Sequence, residues 1–140
     1  MSFVHLRLHT EFSLVDSTIR IKQLMPAVEE AGMPAVAMTD QNNLFGMVKF
    51  YRAARAQGLK PLFGVDVLLE DEDDESLLYH MILLCQNNEG YHNVTKLISR
   101  SYMKGQKLGI PRVQRSWIEE FSEGVIAYRV RVMVMWVTHF

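Results

Sequence analysis

Apolar residues recur along the chain with two different periods, and these periods predict strands that alternate with helices. Val4, Leu6 and Leu8 occupy every second position, which predicts a strand over residues 3–9. Further apolar runs predict strands over residues 34–38, 61–69 and 77–85 and from residue 125 onward. Apolar spacings of three and four predict helices over residues 21–31, 44–54, 91–102 and 116–121.

This order of elements indicates the α/β fold class with mostly parallel strands. The run at 77–85 is apolar almost throughout, which is typical of a strand buried on both faces in a parallel sheet or a barrel. Gly32 and Gly58 lie where the first two helices should end, and Pro26 is an awkward residue inside the first. No repeat or linker stands out, so we expect no domain boundary before the final residues.

Composition narrows the class of protein. About half of the residues, 49%, are apolar, and 15 basic residues balance 16 acidic ones to a net charge of −1. These values exclude a disordered chain and a strongly basic nucleic-acid-coating protein. The lone Cys85 excludes an intramolecular disulfide and a cysteine-rich zinc site. No signal peptide and no membrane-spanning run is present, so the expected setting is the reducing cytoplasm.

Six consecutive acidic residues occupy positions 70–75. Without them the chain would carry 15 basic and 10 acidic residues, a balance of +5. The run lacks the spaced ligands and the glycine of a calcium-binding loop. We therefore predict a solvated loop.

Side chains that could carry chemistry follow the predicted strands. In α/β folds such groups collect at the carboxyl ends of the strands. Histidine with aspartate suits a divalent metal site for hydrolysis. A lone His or Asp near a strand end is also common as a structural hydrogen-bonding group, and spacing leaves both interpretations open. The residues concerned are His9, Asp16, Asp40, Asp66 and His80.

Four segments of the chain resemble one known family in their order and spacing: 3–16, 37–46, 60–66 and 80–97. They are similar to the N-terminal region of bacterial DNA polymerase III alpha subunits, which is a PHP (polymerase and histidinol phosphatase) domain. The resemblance covers residues 3–127. It implies the first half of a distorted, TIM-like (β/α)7 barrel, as a fragment of a replicative DNA-directed DNA polymerase.

The resemblance also implies a metal site that has lost part of its ligand set. His9, Asp16, Asp40 and His80 match positions of the family's metal ligands. At three further positions the residue differs from the family's ligand. Asp66 stands where the family has a glutamate, and Arg7 and Gln41 stand where it has histidines.

A guanidinium is always charged and cannot bind a cation, and a glutamine offers only a neutral carbonyl oxygen. We therefore expect a vestigial site in which Arg7 replaces the charge of the metal among Asp16, Asp40 and Asp66.

In subunits with such degenerate sites, the domain supports the polymerase core and docks the proofreading exonuclease. The resemblance thus implies partners in the polymerase III holoenzyme, contact with DNA only through the parent subunit, and no membrane. No catalytic residue and no cofactor are expected in this chain. Mg²⁺ belongs to the parent polymerase, and Zn²⁺ or Mn²⁺ would bind only if the PHP site were still active. A stand-alone metal-dependent PHP phosphoesterase and a pure interaction module are the alternatives.

The last residues depart from the family. Residues 128–137 are reproduced when plausible codons for Leu-Ser-Gly-Ala-Arg-Asp-Gly-Asp-Val-Gly are translated one base out of frame. We therefore divide the chain into a PHP part, 1–127, and an aberrant, frameshifted tail, 128–140. A genuine amphipathic strand is the alternative, because Val130, Val132 and Val134 alternate with other side chains.

Overall fold

A computed structural model describes residues 3–14 and 16–130 of the 140-residue chain. None of the helices within these ranges is long and apolar enough to cross a bilayer. The chain divides into two compact units, Met1–Val65 and Asp66–Phe140. The elements in chain order are α1 (Ile21–Glu30), β1 (Ala35–Met38), α2 (Met47–Ala56), β2 (Lys60–Glu70), β3 (Leu78–Cys85), α3 (Asn88–Lys104), β4 (Gln106–Lys107), β5 (Ile110–Pro111), α4 (Arg115–Glu120) and β6 (Val125–Arg129).

In the first unit, β1 pairs in parallel with β2, from Ala35 opposite Lys60 to Met38 opposite Phe63. All four residues of β1 are buried, as the unbroken apolar run predicts. Helices α1 and α2 contribute the rest of one apolar core, whose fully buried members include Ile21 and Phe50. The predicted β-α-β-α-β order therefore holds from the first helix onward.

Helix α2 buries a different face from the one that its apolar spacing suggests. Val48 is 57% exposed and Tyr51 is 48% exposed, whereas Phe50 and Ala54 are fully buried. Two sets of apolar positions on this helix have helical spacing. One set is 47, 48, 51 and 54, and the other is 47, 50 and 54. Only packing against the core decides between them.

The N-terminal segment 3–9 is extended but is not the regular strand that its alternation predicts. The backbone N–H of Ala37 donates to His5 at 3.0 Å, and that of Thr39 donates to Leu8 at 2.9 Å. The two acceptors are three residues apart in the N-terminal segment, whereas the two donors are only two residues apart along β1 and its end. The pairing between the segment and β1 therefore shifts by one residue, as at a β-bulge. The slip breaks the alternation of faces: Leu6 is 44% exposed, while Leu8 packs against the core.

In the second unit, the hydrogen-bonded strand order is β2, β3, β6. Strands β3 and β6 are antiparallel, from Met81 opposite Arg129 to Cys85 opposite Val125. The prediction of mostly parallel strands is therefore wrong for this pair. A buried apolar run indicates that both faces are covered, but it does not specify the direction of the neighbouring strand.

A short hairpin, β4–β5, follows α3 and has no counterpart among the predicted elements. Leu108 has φ 54° and Gly109 has φ 77°, the left-handed pair that a two-residue type I′ turn requires. Strands of two residues are too short for any period to be read.

The acidic run is only partly the solvated loop that its composition predicts. Residues 72–76 are exposed, but Glu70 ends β2 at 8% exposure and forms an ion pair with Lys107. Asp71 accepts the backbone N–H groups of Asp73 and Asp74 at 3.0 Å each. These N–H groups lower the pKa of Asp71, which therefore stays ionised.

The predicted aberrant tail begins inside β6. Tyr128 and Arg129 continue the β6 ladder opposite Ile82 and Met81. A backbone ladder is indifferent to most side chains, so this pairing suits a native or a shifted reading frame equally. The remainder of the tail, residues 131–140, lies outside the described residues, and the frameshift stays a prediction.

One close backbone approach requires glycine. The amide of Gly90 in the first turn of α3 donates to the N-cap side chain of Asn87 at 2.9 Å. A Cβ at position 90 would overlap the carbonyl oxygen of Gly124, in the turn before β6. The start of α3 and the start of β6 are therefore held in direct contact.

We expect Gly90→Ala to destabilise the chain by about 3 kcal/mol or more, because backbone must move to admit the methyl group. The matched control is Gly32→Ala: its φ is 66° but no atom lies within 4 Å of the added Cβ. That control should lose only about 1 kcal/mol, the cost of a left-handed alanine. Urea unfolding of both variants measures the difference, and equal losses would contradict the close contact.

Candidate functional site

Asp40 is the most enclosed of the predicted site residues. It lies two residues after the end of β1 and is fully buried. Its Oδ1 accepts the backbone N–H of Thr10 at 2.5 Å and the hydroxyl of Ser13 at 3.2 Å, and its Oδ2 accepts the hydroxyl of Thr10 at 2.7 Å. Three hydrogen bonds compensate the burial of this carboxylate and fasten the loop after the N-terminal segment to the end of β1.

The same loop is tied to the backbone beyond Asp40. The Ser13 hydroxyl oxygen accepts the Gln41 N–H at 2.9 Å, and the Asn43 amide donates to the Phe12 carbonyl at 3.0 Å. Sequence reasoning overlooked Thr10 and Ser13. Their signal is weak, since a hydroxyl near a strand end is common, but buried hydroxyls are the partners that a buried carboxylate needs.

His9 is paired with Asp16, a contact that the sequence analysis did not predict. Its Nδ1 lies 2.7 Å from Asp16 Oδ2. The His9 side chain is 11% exposed and that of Asp16 is 40% exposed. The Ser17 hydroxyl donates to the His9 carbonyl at 2.6 Å, which closes the loop around this pair.

Arg7 and Gln41, the positions at which the resemblance implies lost ligands, are near these groups in sequence. Arg7 is an exposed residue of the N-terminal segment, and Gln41 is half-buried. Asn42 follows with a left-handed φ of 55°, and its buried Oδ1 has no hydrogen-bond partner within residues 3–14 and 16–130. The pairing of Arg7 with the site carboxylates stays a prediction.

In the second unit, Asp66 and His80 form the equivalent pair. Asp66 on β2 is fully buried, and its Oδ1 lies 2.8 Å from Nδ1 of His80 on β3. The His80 side chain is 11% exposed. A carboxylate at Nδ1 holds the imidazole ring in one orientation.

The predicted ligand residues could also belong to larger clusters of metal-binding side chains. Across residues 3–14 and 16–130, no group of three or more His, Cys, Asp or Glu is placed to hold a metal. The chemistry of the donors agrees with this, because Asp40 already accepts three hydrogen bonds. That the five positions are remnants of metal ligands stays a prediction.

The thiol of Cys85 is not activated for nucleophilic chemistry. It is the last residue of β3, and burial raises the pKa of its thiol to about 11. The thiol is therefore protonated near neutral pH and a poor nucleophile.

The hydrogen bonds of Asp40 predict a structural role that can be measured. Asp40→Ala leaves one backbone and two hydroxyl donors buried without an acceptor, and we expect it to cost about 3 kcal/mol of unfolding free energy. Asp16→Ala, which removes a half-exposed partner of His9, should cost less than about 1 kcal/mol. Chemical unfolding compares the two. A stabilised Asp40→Ala variant would instead indicate a carboxylate kept for function at the expense of stability.

Comparison with protein families finds that the model of the PHP domain matches residues 5–134. The chain is also similar to DNA polymerase III subunit alpha from several bacteria. It is 50% identical to that of Pseudomonas aeruginosa over 127 residues, 91% of this chain, and 40% identical to that of Escherichia coli K12 over 124 residues, 89% of this chain. The chain spans 11% of the length of each of these relatives.

Two solved structures share the fold at low sequence identity. One is described as a metal-dependent phosphoesterase from Bifidobacterium adolescentis (TM-score 0.52, 19% identity, 70% of this chain and 32% of that one). The other is an amidohydrolase from Chromobacterium violaceum (TM-score 0.52, 15% identity, the same coverage of 70% and 32%). These likenesses confirm the predicted fold class, α/β of the PHP type.

Proposed function

Because the chain belongs to the PHP domain family, we propose that it is the N-terminal PHP region of a bacterial DNA polymerase III alpha subunit and acts by protein contacts. The observation that carries this proposal is the 50% identity to the Pseudomonas aeruginosa subunit over 91% of the chain. A match at that level over so much of the chain goes beyond the shared fold. The proposed setting is the bacterial cytoplasm, where such a subunit replicates DNA.

In this proposal, polymerisation belongs to the rest of the subunit. The chain corresponds to 11% of its relatives, and it contributes no catalytic carboxylate and none of the Mg²⁺ ligands of the polymerase. Its contribution is a folded platform for the polymerase core and for the proofreading exonuclease subunit. The other partners are those of the polymerase III holoenzyme, and DNA is contacted through the remainder of the subunit.

The contact role is supported by what occupies the metal positions. Arg7 brings a permanent positive charge to a position where an imidazole would bind an ion, and Gln41 replaces a second imidazole by an amide. Asp40 is committed to Thr10 and Ser13. In this proposal, hydrogen bonds from Thr10 and Ser13 hold the Asp40 carboxylate in place of the bond to a metal ion that it would form in a loaded site.

A stand-alone metal-dependent phosphoesterase is the second candidate, and one observation favours it. His9 and His80 each have Nδ1 held by a carboxylate, at 2.7 and 2.8 Å. Imidazoles that bind metals through their other nitrogen are commonly oriented in this way. Activity of the unaltered chain would be needed to support this candidate.

Restoring the lost ligands tests the degenerate site. We expect the unaltered chain to show no saturable binding of Mn²⁺ or Zn²⁺ by titration calorimetry, and Arg7→His with Gln41→His to gain binding, because two imidazoles replace a cation and an amide. The control, Arg55→His with Gln57→His, adds the same residues at the exposed end of α2. Metal binding and p-nitrophenyl phosphate hydrolysis by the unaltered chain, lost in His9→Ala, would favour the phosphoesterase.

A chimera tests the platform role. Residues 3–127 of this chain would replace the matching part of the Pseudomonas aeruginosa subunit. We expect primer extension to persist and the exonuclease subunit to co-purify, whereas deleting the region should abolish both. A chimera that folds and polymerises without retaining the exonuclease would contradict exonuclease docking.

A further inference from the structure

A cavity of about 470 Å³ opens on the second unit beside the acidic run. Its floor is apolar and comes from β2, β3, α4 and β6. The side chains that form this floor remain partly or largely exposed. We term this cavity the acidic groove; its floor residues are Leu69, Met81, Ile118 and Ala127.

The rim of the acidic groove is negatively charged. We use the term rim for the charged lining residues, which comprise five acidic and two basic side chains: Glu70, Asp71, Glu72, Asp73, Glu119, Arg115 and Arg129. Glu70 is buried and paired with Lys107. Glu72 and Asp73 are exposed. The charge of Glu119 is balanced by Arg115 at 3.2 Å, so the surplus charge comes from the run. The groove therefore combines an apolar surface with an anionic edge.

The groove already holds one guanidinium of the chain itself. Arg129 Cζ lies 4.1 Å from the centre of the Tyr79 ring, a cation–π contact. Besides the N–H groups of Asp73 and Asp74, the nearby Tyr79 hydroxyl and the charge of Arg129 also lower the pKa of Asp71. An aromatic face beside a carboxylate is an arrangement that selects a flat, delocalised cation.

We propose that the acidic groove docks a basic segment of a partner protein, with an arginine at the rim beside the acidic run and an aliphatic side chain on the floor. Charge complementarity favours this occupant, since the rim is anionic and Tyr79 with Asp71 already bind a guanidinium. The apolar floor distinguishes a peptide from a simple cation, which would gain nothing from Leu69 or Ile118. This inference does not rest on the proposed polymerase role, although Arg129 lies in the segment 128–140 that differs from the family.

The first test uses the full 140-residue chain and a fluorescein-labelled nonapeptide of alternating arginine and leucine, followed by anisotropy. We expect saturable binding that weakens with salt, and no binding of the same peptide with glutamate in place of arginine. Glu72→Gln with Asp73→Asn should weaken binding about fivefold to tenfold, because two rim charges are removed. Glu29→Gln with Glu30→Gln, an exposed acidic pair on α1, is the matched control and should leave affinity unchanged.

Arg129→Ala provides a test in the opposite direction. Removing the internal guanidinium frees the Tyr79 face, so the arginine peptide should bind about twofold to fivefold more tightly. Arg52→Ala, which removes an exposed charge of α2, is its control. Circular dichroism verifies that each variant is folded.

Three results would overturn the proposal. The first is absence of binding by the folded, unaltered chain at millimolar peptide. The second is equal weakening by both acidic pairs, which would mean attraction to net charge alone. The third is equally strong binding of an arginine–glycine peptide, which would remove the role of the apolar floor.

Discussion

The buried carboxylate of Asp40 is the constraint around which the first unit's candidate site is arranged. A fully buried negative charge is tolerated only where donors surround it, and Thr10 and Ser13 supply three hydrogen bonds. To reach Asp40, the loop after the N-terminal segment must fold over the end of β1. That folding also brings the Gln41 and Asn43 amides onto the loop. One carboxylate thus determines the conformation of two loops.

The two histidine–aspartate pairs could serve metal binding or the fold alone. His9 with Asp16 and His80 with Asp66 are compact, well-oriented pairs in their respective units. Such pairs suit metal ligation, but they are also stable by themselves, since each gives a largely buried imidazole a hydrogen-bond partner. With Arg7 and Gln41 at two ligand positions, the structural use is the simpler account, and the proposed contact role requires nothing further from these groups.

Some charged residues of the second unit form ion pairs within the fold, and others line the acidic groove. Lys107 of the hairpin binds the buried Glu70 and the exposed Glu75, and Arg112 donates to the Glu75 carbonyl at 2.9 Å. These contacts hold the hairpin against both ends of the acidic run, Glu70 and Glu75. The middle of the run is left facing solvent, where it forms the rim of the acidic groove. The run is therefore a solvated loop in its middle and a partner of the hairpin at its two ends.

The sequence by itself determined the order and kind of most elements and the burial of β1, because the periodicity of apolar residues is a local property. Tertiary structure alone decided three further matters: the slipped register of residues 3–9, the antiparallel partner of β3 and the buried face of α2. It also decided that Asp40 is surrounded by hydroxyls. Each of these depends on which distant backbone arrives alongside, and a short-range pattern carries no information about that.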